Sequence, residues 1–339
     1  MQTWLSLHAF HHDAAALDPF LLNGIAPLVQ VLLKQGLIDS YFFIRYWEGG
    51  PHIRLRLRGD VNTLQQQVKP QATAALKEFL QANPSQTRLK RDTYYDSLFA
   101  HAPSGDADLP WYEDGEVLEI PYDQETLRYG GVQAMKVAQN LFMVSSEVTI
   151  ALLGQYSGIE QKMAVGKDLM LLAMLALDTD EEQVRSYFER YASYYKVYGA
   201  TPEQEDAFDR NCHESFKRQA AQLSLRAHQL CAIVRSKTMS ALPGLYQTWL
   251  TYHQQTFAEL RALHEQELLV NPLTGQPLSS TDASQDAIGL IAHSYAHMHN
   301  NRMGLNPYQE SHLAYLLKTG LQADPSKKGS DLTCGFRFA

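Results

Sequence analysis

Positions 52 to 58 read His-Ile-Arg-Leu-Arg-Leu-Arg, with an imidazole or guanidinium at every second residue. Alternate residues of an extended strand point to one face, so His52, Arg54, Arg56 and Arg58 line one side while Ile53, Leu55 and Leu57 line the other. Like charges crowded on one strand face repel, and such a row needs an anionic partner or open water. Two readings follow. One is a solvated face paired with acidic residues of a following helix. The other is a cationic wall for a carboxylate, phosphate or enolate, which planar guanidinium groups grip through parallel hydrogen bonds. Arg45 adds a further guanidinium on the neighbouring run Tyr41–Trp47 (YFFIRYW).

Two other stretches carry chemistry-bearing side chains. In Glu125–Gly131 (ETLRYGG), Arg128 precedes a glycine pair suited to close backbone approach or a left-handed turn before a helix. In His293–Arg302 (HSYAHMHNNR), His293 and His297 are four apart and share a helix face. They lack a third ligand and the HExxH form, so no metal is expected. His8, His11 and His12 form a separate cluster.

The elements that must position these groups fall into two regions. Thr3–Phe10 alternates as a strand, and an amphipathic helix runs from Asp18-Pro19 to Gln35 before Gly36. Tyr41–Trp47 and His52–Arg58 form a hairpin around Gly49-Gly50-Pro51, and Asp60 to Ala82 reads as a helix. Arg88–Tyr95 and Val117–Tyr122 read as two more strands, joined by an acidic loop over 102–115. The order resembles a split βαβ unit. From Gly131 on, apolar residues recur at three- and four-residue spacing over Val132–Leu153, Lys162–Leu177, Glu181–Val197, Glu203–Lys237 and Leu242–Leu269. A polar loop over 271–284 precedes helices at Asp286–Asn301 and Pro307–Thr319. The fold class is therefore α+β: a small front β-sheet layer with helices (1–130), then a predominantly α-helical back half (131–320) of the same unit, and a polar tail (321–339).

Composition excludes several function classes. The 339 residues, 45% hydrophobic and 19% charged, are those of a globular chain with a sizeable core. A formal net charge of −8 gives no basic footprint for nucleic acid. Cys212, Cys231 and Cys334 belong to no CxxC pair, which argues against a disulfide framework or a cysteine-rich zinc site. No signal peptide and no long uninterrupted apolar run are evident, so a cytoplasmic, soluble protein without a membrane partner is expected.

Taken in order, FFIRYWEGGPHIRLRLRG, YDQETLRYGGVQAM and HMHNNRMGLNPYQE resemble the C-terminal elimination domain of lantibiotic dehydratases, a family that also includes freestanding thiopeptide-biosynthesis proteins. The resemblance runs from Trp4 to about Leu317. It implies an enzyme of ribosomal-peptide biosynthesis acting on a precursor peptide with its leader, without cofactor, beside a separate subunit that glutamylates Ser or Thr; homodimerisation is plausible for the family. Motif positions carry Arg54 and Arg56 onto the family's functional arginine pair and His297 onto its catalytic histidine, with Arg128 as a further catalytic arginine. Arg45, His52 and Arg302 sit in the motifs as substrate-binding candidates. One departure stands out: relatives often carry Asp-Ser in the helix after LRYGG, where this chain has Ser145-Ser146.

The resemblance implies either elimination of glutamate from glutamylated Ser or Thr, leaving a dehydroamino acid, or formal [4+2] cycloaddition of two dehydroalanines to a pyridine with expulsion of the leader. A non-catalytic peptide-binding scaffold is the third reading. Elimination leads, because a glutamyl carboxylate must be held and the arginine pair suits it. A leader adding as an extra strand to an exposed edge of the front sheet is the expected docking mode.

Overall fold

The structure, a computed structural model, describes residues 1–98, 109–196, 201–282 and 284–323. The tail from 324 on, with Cys334, and the part of the acidic loop over 102–108 lie outside the described residues. Period-two patterning gives β1 (Gln2–Phe10) as expected. A helical run, α1 (Ala14–Lys34), follows, capped by the Asp13 carboxylate, which accepts from the Ala15 N–H. β2 (Ser40–Tyr46) and β3 (His52–Asp60) are the arms of the hairpin. The Asp60 side chain then caps Val61–Thr63, and the turns continue through Leu64–Val68 into α2 (Lys69–Ala82). After α3 (Arg91–Leu98) comes the short β4 (Val117–Glu119).

The sheet order is β2-β3-β1-β4 with every neighbouring pair antiparallel. β3 is antiparallel to both β1 and β2, so those two run parallel, linked through α1, with β3 between them. This is the split βαβ order. One expectation fails: Arg88–Tyr95 is not a strand. It contributes to α3, where Asp92 occupies the first turn. Tyr94 donates to the Trp47 carbonyl and Tyr95 to the Pro110 carbonyl, so packing against the hairpin turn overrides the strand propensity of the tyrosines. β4 also stops earlier than Tyr122, ahead of Pro121, which has no N–H for a ladder.

The two faces of the sheet meet different surroundings. Leu5, Leu7, Phe43, Ile53, Leu55 and Leu57 are all at most 1% exposed and pack on α1 and α2 through Phe20, Ile25, Leu32 and Leu76. Each such side chain contributes roughly 1.5–3 kcal/mol on burial. The run α1 has the length and mean hydropathy (1.6) of a membrane span, which the absence of an uninterrupted apolar stretch had not led us to expect. Its apolar stripe is spent on the sheet, as in a core helix.

The opposite face presents Trp4, Phe42 and Ile44 to the helical half. That half comprises α4 (Val132–Leu153), α5 (Ile159–Leu175), α6 (Glu181–Lys196), α7 (Pro202–Arg235), α8 (Gly244–Glu265), α9 (Ser284–Met303) and α10 (Pro307–Gln322). Gly130 and Gly131 introduce α4 with φ of +88° and +101°. A Cβ at Gly130 would lie 2.8 Å from both Ile291 and Leu269, so the pair allows the left-handed turn and the close approach that the sequence suggested.

The outer edge of β2 is closed by side chains rather than by a strand. Asn301 on α9 accepts from the Arg45 N–H (3.0 Å) and donates to the Arg45 carbonyl (2.9 Å), as a paired strand residue would. Ser146 accepts from the Phe43 N–H (3.2 Å), and Arg302 Nε donates to the Phe43 carbonyl (2.8 Å). Asn301→Ala should therefore strand two backbone groups and lower unfolding free energy by about 1–3 kcal/mol. Urea denaturation measures this; a change within error would show that water replaces the amide without loss.

Candidate functional site

β3 delivers its basic residues to the face that meets the helical half. His52 and Arg56 are buried there, and Arg54 and Arg58 are partly exposed. The solvated-face reading holds only at the far end, where Arg58 Nε donates to Asp39 at 2.6 Å. Register sets Ser6 and Phe42 beside Arg56, and His8 and Ile44 beside Arg54. The Arg54 guanidinium lies 3.4 Å from the centroid of the Tyr46 ring, and that of Arg56 lies 5.0 Å from Tyr122. These ring faces give guanidinium groups a favourable but neutral lining.

The histidines beside them stay neutral. His52 Nδ1 donates to the Gly50 carbonyl (2.8 Å), and its Nε2 accepts from Arg54 Nε (3.2 Å). Burial, reinforced by Arg54 and Arg56 against the Gly50 hydrogen bond, holds His52 at about 3. His8 stacks on His52 with centroids 5.0 Å apart, and burial followed by Arg56 pushes it down to about 2. Neither ring adds charge to the arginines.

Arg56 is 4% exposed, its Nη1 has no hydrogen-bond partner, and burial lowers its pKa to about 10. Arg302 on α9 is 1% exposed; burial likewise lowers it to about 10, and its Nη2 is unpartnered. Its other nitrogens donate to the Phe43 and Met298 carbonyls and to Ser145 Oγ (3.4 Å). Neither guanidinium has a carboxylate partner among the described residues. Ser145 supplies Arg302 with a neutral hydroxyl and also pairs with His299 Nδ1 at 3.0 Å. The phenol of Tyr122 feels both guanidinium groups and is raised by its own burial. Two buried cations without a counter-charge thus converge near one tyrosine.

The other motif residues lie as follows. Arg45 points to the opposite side, where Asp18 receives its Nη2 at 2.5 Å and Lys162 joins the same carboxylate. Its Nε donates to the Arg302 carbonyl. Arg128 donates to Ser294 Oγ on α9 (3.2 Å) and pairs with Glu125 at 3.4 Å. Glu125 also acts on Arg54, so the ETLRYGG segment joins the arginine face to α9. Ser294, His297 and Asn301 share one side of α9 at spacings of three and four. His297 therefore lies between the contact to Arg128 and the contact to β2.

His297 has a partner that sequence reading did not assign. Both carboxylate oxygens of Glu310 on α10 lie 3.1 Å from its Nδ1, and Tyr191 on α6 donates to Oε2 at 2.6 Å. Glu310 is completely buried. A signal existed: Glu310 shares the stripe of Leu313, Ala314 and Leu317 on α10, an acid on an apolar helix face. Among the described residues no group of three His, Cys, Asp or Glu side chains could hold a metal ion.

Comparison with known proteins is consistent with this architecture. The fold resembles that of the pyridine synthase TbtD from thiomuracin biosynthesis (TM-score 0.74, 17% identity, 94% of this chain and 97% of that chain). It also resembles TsrL (TM-score 0.66, 17% identity, 95% of each chain). The tRNA dependent lantibiotic dehydratase MibB from Microbispora sp. 107891 matches with a TM-score of 0.55 and 19% identity over 94% of this chain, which spans 28% of MibB. At such identities the likeness speaks for the fold. No curated protein matches the chain. The family profile for the C-terminal part of lantibiotic biosynthesis dehydratases matches residues 4–321, nearly the whole chain, and the chain belongs to that family of ribosomal-peptide-modifying enzymes.

Proposed function

We propose that the protein eliminates glutamate from glutamylated Ser or Thr residues of a ribosomally made precursor peptide. The observation that carries this reading is the pair of buried guanidinium groups, Arg56 and Arg302, near Tyr122 with no carboxylate of their own. An uncompensated buried charge is unfavourable by several kcal/mol, so a site of this kind is completed by an anion from the substrate. The glutamyl carboxylate, or the oxygen of a developing enolate, has the required charge and planarity.

In the reaction the Cα–H bond breaks and its electron pair becomes the Cα=Cβ bond. The Cβ–O bond breaks, and glutamate departs as the carboxylate. The α-proton beside an amide is weakly acidic, so stabilising the enolate is the main demand; one preorganised donor is worth about 3 kcal/mol. Arg56 and Arg302 face the anion, with Arg54 beside Arg56 and Arg128 at the border toward α9. His297 takes the α-proton, a task suited to imidazole. The remaining chemistry, transfer of glutamate to the peptide, is assigned to a separate subunit in the same cytoplasm.

A second reading is pyridine formation by [4+2] cycloaddition. It is favoured by the likeness in fold to the pyridine synthase TbtD, with a TM-score of 0.74 against 0.55 for the lantibiotic dehydratase MibB. Both readings need a precursor peptide to dock. On the outer edge of β1, backbone bonds to the β4 segment run from Phe10 back to Ser6, whose carbonyl accepts from the Ile120 N–H at 3.2 Å, and stop short of Gln2–Leu5. The neighbouring cleft, about 410 Å³, is lined by Thr3, Trp4, Pro121 and Tyr122 and leads to the ring beneath Arg56. A leader adding there as a strand would feed the core peptide toward the arginines.

Three experiments test these assignments. Mass spectrometry after incubation with the cognate precursor, glutamylated or already dehydrated, separates loss of glutamate from release of a leader fragment with macrocycle formation; no change with either form leaves a scaffold. Arg56→Gln should slow glutamate loss about 10²–10³-fold, and His297→Ala should abolish product while the protein still folds and binds leader; near wild-type turnover by the latter removes that residue's role. Hydrogen exchange should show protection of residues 2–5 when leader is added, and protection confined to α4–α10 would argue against docking at β1.

A further inference from the structure

We infer that Glu310 is the positioning residue of His297: it orients the ring and fixes which ring nitrogen carries the proton. For its consequence in catalysis the inference rests on the reading of His297 as the proton-transfer group. Its physical content stands on the contacts alone.

The Glu310 carboxylate is fully enclosed, and its partners come from two other helices. His297 Nδ1 lies 3.1 Å from each oxygen, and the Tyr191 hydroxyl donates to Oε2 at 2.6 Å. No lysine or arginine pairs with it among the described residues; its one ion-pair partner is His297. A carboxylate only accepts, so Nδ1 is the donor and Nε2 is left with its lone pair. The ring is 21% exposed while the carboxylate is at 0%, so the open part of the imidazole is the part turned away from Glu310. Glu310 also occupies the first turn of α10, where the helix dipole favours negative charge.

The other groups around His297 do not compete for this role. Tyr191 from α6 is a neutral donor. His293, one turn earlier on α9, has its ring 4.0 Å from Tyr191; burial first, then His297 and Arg128, hold it at about 3, so it stays neutral. Arg128 approaches from the segment before α4 and is already paired with Glu125. Among the described residues the carboxylate at hydrogen-bond distance from the imidazole is that of Glu310.

The test is imidazole ¹⁵N NMR of the full chain, in the wild type, Glu310→Gln and Tyr191→Phe. In the wild type the neutral ring carries its proton on Nδ1. In Glu310→Gln the proton shifts toward Nε2, because the carboxamide can present an N–H to Nδ1. If Glu310→Gln does not fold, Tyr191→Phe still decides: the carboxylate that remains keeps the proton on Nδ1, and a proton on Nε2 overturns the inference. An unmoved tautomer in a folded Glu310→Gln overturns it as well. With the cognate glutamylated precursor, turnover by Glu310→Gln drops about 10- to 100-fold; Glu310→Asp recovers part of the loss. If His297→Ala retains turnover while the NMR shift appears, the proposed function fails and the pairing stands.

Discussion

The constraint on which the rest of the structure depends is the double character of β3. Ile53, Leu55 and Leu57 point to one side and Arg54, Arg56 and Arg58 to the other, and the chain packs against both sides. Enclosing Ile53, Leu55 and Leu57 is favourable without further provision. Enclosing Arg56 is not, and everything on that side of the sheet answers to it: the Tyr46 and Tyr122 rings over the guanidinium groups, imidazoles kept neutral, and a helix from the far end of the chain bringing a second unpaired arginine. A stability argument alone would have placed an acid there. The chain has Ser145 instead.

Much of this was legible before any coordinates. The alternation over His52–Arg58, the split βαβ order and the helical back half follow from periods of two and 3.6, signals carried within each segment. So does the glycine pair after Arg128. Arg88–Tyr95 misled because its tyrosines favour strands, whereas what fixes them is a hydrogen bond to Trp47 and another to Pro110, contacts that no local pattern encodes. Strand parity puts Arg45 of β2 with Phe43, on the aliphatic side of the sheet, and Asp18 holds it there.

The site divides in the same way. Arg54, Arg56 and His297 could be named from motifs, but the groups that condition them could not. Glu310 and Tyr191 are 119 residues apart and meet only because α10 packs along α6. The Asn-Asn-Arg that closes the histidine motif has the appearance of a helix end with incidental polar residues. In three dimensions Asn301 and Arg302 bind backbone groups of β2, so the end of the motif is what ties α9 to the sheet.

That arrangement makes the sheet one-sided as a template. With β2 bound at Phe43 and Arg45 to side chains of α4 and α9, the ladder left open among the described residues lies on the β1–β4 side of the sheet. An open ladder at both ends permits endless ribbons of copies, the usual route from exposed edges to fibres. Here two molecules joining through their sheets would use the same end of each and close on themselves as a twofold pair, with no end left to propagate.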